Sequence, residues 1–195
     1  MRLARGSAAW ISLPLFLTAA LAFLGSWYIS AMALVGSIFM LFFHRDPDRL
    51  PRGEGMIAPA DGRIIAAAKS GITIFMGPSD VHVNRAPLAG TVRETEHIKG
   101  GHFPAFLARA KDNQQNRIIL ETSDGDVELR QITGTLVREI VCYVRPGDRV
   151  ARGDRIGMIR FGSRVEVTMP KGYGLQIKLG DKVRAGETVI AVKRP

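Results

Sequence analysis

From Gly6 to Phe43 the chain carries no charged residue, whereas nearly every later stretch of ten carries several. That break divides the sequence into an apolar N-terminal segment, 1–43, and a polar domain, 44–195. A membrane span needs roughly 20 apolar residues, so the run is too long for one ordinary span and just short of two. Gly25-Ser26-Trp27-Tyr28 lies at its centre. Gly-Ser permits a turn, and Trp and Tyr favour the membrane interface. The pattern therefore predicts a transmembrane anchor, a tight helical hairpin over 8–24 and 29–43. Basic residues flank both ends, Arg2 and Arg5 before it and Arg45, Arg49 and Arg52 after it. By the positive-inside rule they place the following domain at the cell membrane, facing the cytoplasm. Ala20-Leu21-Ala22 also resembles a signal-peptide cleavage site, but cleavage there would leave a second apolar run as an anchor.

Beyond His44 the hydrophobic pattern shortens into β-type runs separated by Gly, Pro, Asp and Asn. Strands are predicted at 63–68, 72–75, 90–93, 117–122, 127–132, 136–143 and 155–161, with one helix-compatible stretch, 104–111. The fold class is mainly β. A weak repeat accompanies it: Val144-Arg-Pro-Gly-Asp-Arg-Val-Ala-Arg-Gly-Asp is echoed by Ile177-Lys-Leu-Gly-Asp-Lys-Val-Arg-Ala-Gly-Glu. Each Gly-Asp supplies a turn before a Val-led strand. Such G-D-x-V-x-x-G hairpins resemble those of biotinyl/lipoyl-type barrel-sandwich domains, although no lysine stands in a carrier motif.

The 195 residues suffice for one compact domain and carry a formal charge of +9. Only Arg2 and Arg5 precede the apolar segment, so most of the basic excess lies in the domain. A basic domain beside a bilayer points to anionic lipid. Nucleic acid is disfavoured, because the charges are dispersed and no recognition motif accompanies them. The single cysteine, Cys142, rules out an internal disulfide. It lies in the run Ile140–Val144 and is expected to be a buried small hydrophobe.

Three segments place reactive residue types among Gly and Pro. Ala58-Pro59-Ala60-Asp61-Gly62 puts a carboxylate in a turn, where an Asx role is the simpler reading. In Asp80-Val81-His82-Val83-Asn84-Arg85-Ala86-Pro87, an extended backbone would put His82, Asn84 and Ala86 on one face. In Arg160-Phe161-Gly162-Ser163-Arg164-Val165-Glu166-Val167, the Gly-Ser pair reads either as a bend or as an unhindered carbonyl open to the serine hydroxyl. His97 and His102 flank Ile98-Lys99-Gly100-Gly101, but without Cys or a third ligand no metal site is predicted.

Taken in order, these segments resemble the phosphatidylserine decarboxylase family, especially its short form. Phe42-Phe43-His44-Arg45-Asp46-Pro47, Asn116-Arg117 and Gln131-Ile132-Thr133-Gly134 extend the resemblance across the domain. The resemblance implies a proenzyme in which Ser163 attacks the Gly162 carbonyl and splits the chain into β (1–162) and α (163–195) parts. Ser163 becomes a covalent pyruvoyl cofactor, which forms a Schiff base with phosphatidylserine and converts it to phosphatidylethanolamine. The two parts would stay together as a heterodimer, with a higher homo-oligomer open. Asp61 matches the acidic residue that assists self-cleavage, and His82 is the expected proton donor.

One departure matters. Longer family members carry a second histidine where this chain has Arg85. Either His82 serves both steps, or another group such as His97 or His102 supplies the base. Arg85, with Asn84 beside it, is a candidate for binding the substrate carboxylate or phosphate. Two rival readings remain: a non-enzymatic membrane-anchored adaptor, which would need long helical hairpins, and a lipid carrier without chemistry.

Overall fold

The computed structural model describes residues 2–135, 137 and 139–194, which fall into two compact units divided between Asp48 and Arg49. The first unit holds β1 (Arg2–Leu3), α1 (Ala8–Phe23), α2 (Trp27–Phe43) and β2 (Arg45–Asp46), with β1 and β2 paired antiparallel. Gly25, at φ 75°, turns the chain between the helices. Hydroxyls join them, since Ser30 Oγ donates to the Thr18 carbonyl at 2.8 Å and Thr18 Oγ1 meets Ser37 Oγ at 3.2 Å. The helices have 16 and 17 residues, and none among the described residues is long and apolar enough to cross a membrane. Helix length thus does not support the transmembrane anchor expected from the sequence.

The second unit is mainly β. Its strands are β3 (Met56–Ile57), β4 (Gly62–Ala68), β5 (Gly71–Met76), β6 (Val83–Arg85), β7 (Gly90–Ile98), β8 (Gln115–Thr122), β9 (Gly125–Ile132) and β10 (Glu139–Cys142). They continue with β11 (Arg149–Val150), β12 (Arg155–Arg160), β13 (Ser163–Thr168), β14 (Tyr173–Leu175), β15 (Lys182–Val183) and β16 (Val189–Lys193). Eight form one antiparallel sheet in the order β11-β7-β8-β9-β13-β5-β4-β15. Two three-stranded sheets, β10-β12-β6 and β14-β16-β3, complete the unit. Alternating residues such as Ile72, Ile74 and Met76 enter a shared core with Ile118, Leu120, Leu129, Ile156, Val165 and Ile190.

The sequence repeat is a structural repeat, and it reaches further than the glycine-aspartate turns. Ala58-Pro59-x-x-Gly62 matches Ala86-Pro87-x-x-Gly90. Ala58 exchanges backbone hydrogen bonds with Thr188 and Gly186, and Ala86 does the same with Asp154 and Gly153. Ile64 pairs in this way with Asp181 and Gly180, and Val92 with Asp148 and Gly147. The two Ala-Pro segments also bond each other, Ile57 N–H to the Pro87 carbonyl and Arg85 N–H to the Pro59 carbonyl. Asp148 and Asp181 close equivalent turns by accepting from the N–H groups of Arg145 and Lys178 at 2.8 and 2.9 Å.

Three expectations need correction. Cys142 is exposed, because β10 is the outer strand of its sheet and has β12 on one side only. The stretch 104–111 yields only a 3-10 helix, Ala108–Asp112, the one helical segment among the described residues of this unit. Gly100, Gly101 and Pro104 leave too short a run to nucleate an α-helix. The strand expected over 136–143 is seen from Glu139, and Leu136 and Arg138 lie outside the described residues.

Because the two aspartate turns adjoin different edge strands of the large sheet, β11 and β15, and their hydrogen bonds share no partner, their energies are expected to add. Asp148→Ala and Asp181→Ala should each cost about 1 kcal/mol, and the double variant about the sum, in urea unfolding of the purified chain.

Candidate active site

Of the residues singled out from the sequence, Ser163, Asn84 and His82 lie at the passage from β12 to β13, and Asp61 is tied to it through Val81. β12 lies in a three-stranded sheet and β13 in the large one, so the chain must turn a corner between them. Phe161 (φ 56°) and Gly162 (φ 52°) make that corner with two successive left-handed residues. For Phe161 this conformation costs about 1–2 kcal/mol, which the surrounding structure must supply. On one side the fully buried Arg160 is ion-paired with Glu139. On the other, Arg164 donates to the Leu107 carbonyl at 3.1 Å and pairs with Glu166 at 2.7 Å.

The carbonyl of Gly162 rests against Gly134. A Cβ placed on Gly134 would lie 1.9 Å from that oxygen, so only glycine permits the approach. Ser163 opens β13, is fully buried, and sits opposite Met76 across the β13–β5 pair. Its Oγ donates to the Met76 Sδ at 3.4 Å. Asn84 Nδ2 approaches the same sulfur at 3.8 Å. Behind Asn84, Gln131 donates to its Oδ1 at 2.8 Å, and Asn116 donates to Gln131 Oε1 at 2.9 Å. Gly157 makes room for this amide chain, since a Cβ there would stand 2.7 Å from Gln131 Nε2.

His82 is fully buried, with Nδ1 2.9 Å from the Asp80 carbonyl. Its own carbonyl accepts from Ile159 N–H at 3.2 Å, which ties it to the strand leading into the corner. Asp61 is tied to Val81, the residue before His82. Its carboxylate accepts from Val81 N–H at 3.2 Å, from Ala185 N–H at 2.8 Å and from both terminal nitrogens of Arg49. Those four donors engage both oxygens, so the group acts as a clamp on the backbone beside His82.

Arg85 has a different setting. Its Nη1 donates to the Gly153 carbonyl at 2.9 Å, and its stem fills the space over Gly186. His97 and His102 are both exposed; His97 Nε2 lies 3.1 Å from Gln114 Nε2, and His102 stacks on Phe103. The sequence reading missed Arg49, Met76 and the role of Gly134. Asn116, Gln131 and Gly134 fell within segments that carried the family resemblance, but no role had been attached to them.

Removing the Asp61 carboxylate takes the bidentate partner from the buried Arg49 guanidinium and leaves Glu187 3.7 Å away. Asp61→Ala should therefore cost about 3 kcal/mol of stability, measurable by urea unfolding of an otherwise intact chain.

The sequence profile of phosphatidylserine decarboxylase matches residues 37–191. A phosphatidylserine decarboxylase proenzyme of Streptomyces avermitilis is 44% identical over 201 residues, covering 97% of this chain and 93% of that protein. A candidate archaetidylserine decarboxylase proenzyme of Methanosarcina barkeri is 41% identical over 198 residues, covering 97% of this chain and 98% of its own. A similar match in Methanococcoides burtonii is 43% identical over 170 residues, covering 86% of this chain and 82% of that protein. With a matching profile over most of its length and relatives at this identity, the chain belongs to the phosphatidylserine decarboxylase family.

Proposed function

We propose that the chain is a self-cleaving proenzyme that decarboxylates a serine-headed membrane phospholipid, with Ser163 as the source of its pyruvoyl group. The observation that carries this reading is the left-handed Phe161-Gly162 corner, which presents the Gly162 carbonyl, backed by Gly134, next to a buried serine.

In the first step Ser163 Oγ adds to the Gly162 carbonyl carbon, the peptide C–N bond breaks, and an ester replaces the amide. The freed nitrogen takes the hydroxyl proton. A base then removes the Ser163 α-proton, the ester C–O bond breaks, and Gly162 leaves as a carboxylate. The remaining dehydroalanine takes up water and loses ammonia, which leaves the ketone. In the uncut chain the hydroxyl rests on a thioether, a weak acceptor and no base. Proton removal therefore falls to a neighbouring group, and His82 is the residue supported by burial and by its tie to the corner.

Ser163 is suited to hold such a group in place. Residues 164–167 pair with β9 and 163–168 with β5, so the new chain end remains in the middle of the sheet. β15 and β16 tie the same fragment to β4 and β3, which supports a stable heterodimer of 1–162 and 163–195. Once formed, the ketone supplies an electron sink for the carboxylate bond of the substrate serine. Asp61 and Arg49 hold the backbone beside His82, and His82 delivers the proton to the substrate carbon after carbon dioxide leaves. Arg85 and Asn84 stay candidates for the substrate carboxylate or phosphate, through rearrangement of their present contacts.

The lipid headgroup is common to phosphatidylserine and its ether-linked counterpart, so either tail fits the same chemistry. The exposed apolar side chains of the hairpin, Phe16, Phe23, Trp27, Tyr28 and Met32, support membrane anchoring. Arg2, Arg5, Arg45 and Arg52 support a cytoplasmic orientation. The domain's turns support a barrel-sandwich architecture.

Turnover is tested by release of labelled carbon dioxide from carboxyl-labelled phosphatidylserine in vesicles. Ser163→Ala should remain uncut and release none, and His82→Ala should lose about 10²-fold or more. Normal release by either variant contradicts the assignment. Gly134→Ala should slow self-cleavage about 10²-fold by displacing the Gly162 carbonyl. Gly162→Ala, whose Cβ meets nothing within 4 Å, should slow it less in the same processing assay on gels.

A further inference from the structure

The loop between β7 and β8 carries Phe103, Phe106 and Leu107 at 38%, 63% and 42% exposure. Elsewhere in the described residues of the second unit, the large apolar side chains so exposed are Leu50 and Leu179, well apart in sequence. Three such residues within five positions form a patch rather than the usual scatter. Lys99, Arg109 and Lys111 flank it in sequence, all exposed, and Asp112 is the only acid between 99 and 112. The Arg109 guanidinium lies 5.6 Å from the centre of the Phe103 ring.

The loop is built, not slack. Asn113 is fully buried, and its side chain accepts from Phe103 N–H and donates to the carbonyls of Phe103 and Thr133, each at 2.7 Å. Gly101 N–H bonds the Asp112 carbonyl at 2.7 Å, closing the base. Phe106 packs edge-on to Phe75 at 6.1 Å. The loop also touches the cleavage corner at two points. Ala105 stands beside Gly134, and the Leu107 carbonyl holds Arg164, the residue after Ser163.

We propose that residues 103–111 dock into an anionic lipid bilayer, with Phe103, Phe106 and Leu107 entering the interface and Lys99, Arg109 and Lys111 meeting lipid phosphates. Aromatic side chains favour that depth, and basic neighbours add attraction to anionic headgroups. A protein partner would be served equally by the apolar residues, but the cationic rim and the adjacency to Ser163 favour the lipid surface. The inference rests on the reading of the site as lipid-processing and adds how a headgroup reaches a buried serine: the bilayer is held against the corner itself.

The test uses the full chain with Cys142→Ser and Phe106→Cys, labelled with an environment-sensitive fluorophore. Vesicles contain phosphatidylcholine with or without phosphatidylglycerol, and brominated lipids serve as quenchers. Co-sedimentation confirms that the chain is bound, since the apolar hairpin can bind vesicles by itself. The label should shift to the blue and be quenched on anionic vesicles, whereas a label at the exposed Glu54→Cys should not change. Arg109→Gln with Lys111→Gln should reduce the anionic-lipid dependence of insertion about tenfold. Hydrogen exchange of the unaltered chain gives a second readout, with amides of 103–109 slowed by anionic vesicles.

A label at 106 that behaves like the one at 54 on bound vesicles, or unchanged exchange over 103–109, overturns the docking. Insertion is read without turnover. Its absence in a chain that still cleaves itself therefore sinks this inference alone. Insertion by an unaltered chain that never cleaves sinks only the decarboxylase reading.

Discussion

The close contact between the Gly162 carbonyl and Gly134 is the constraint on which the rest of the site depends. It is possible because two left-handed residues carry the chain from one sheet into another, and because the facing residue has no side chain. The ion pair of Arg160 and the bonds of Arg164 hold the corner from either side. A serine that opens a central strand is then fixed relative to the carbonyl before it. Bond breakage at this point would leave the fragment held, because β13 has neighbours on both edges. Positioning of this kind converts a slow intramolecular reaction into a fast one by entropy already lost in folding.

The internal repeat explains where the asymmetry of the site comes from. Its two halves make the same backbone bonds around Ala58 and Ala86 and around Ile64 and Val92. At the position where one half has Asp61, the other has Ala89. The repeated backbone arrangement therefore forms without a carboxylate at that position. Its cost as a buried charge is offset by Arg49 and two backbone donors, an arrangement that only one half carries. Such a clamp is present once in the repeated frame, on the backbone beside His82.

Much of this was legible in the residues. Gly-Asp turns, Val-led strands and the Gly-Ser pair each have local physical signatures, and the structure places them as strands and turns near the expected positions. What was not legible depends on contacts between distant segments. Met76 reads as core, and only the β13–β5 register brings it under Ser163. Arg49 reads as a membrane-flanking charge until Asp61 is seen 12 positions along the chain in its grip. Cys142 sits in an apolar run, yet an outer strand exposes it. The matching Ala-Pro segments were visible in the sequence, but their equivalence emerges from hydrogen bonding rather than from two short motifs.

The most direct test is intact mass measurement of the purified chain with and without borohydride. The account predicts two fragments dividing between Gly162 and Ser163, with the smaller lacking an N-terminal amine and gaining two hydrogens on reduction. A single uncut chain, found in membranes that carry the activity as well as after purification, would contradict it.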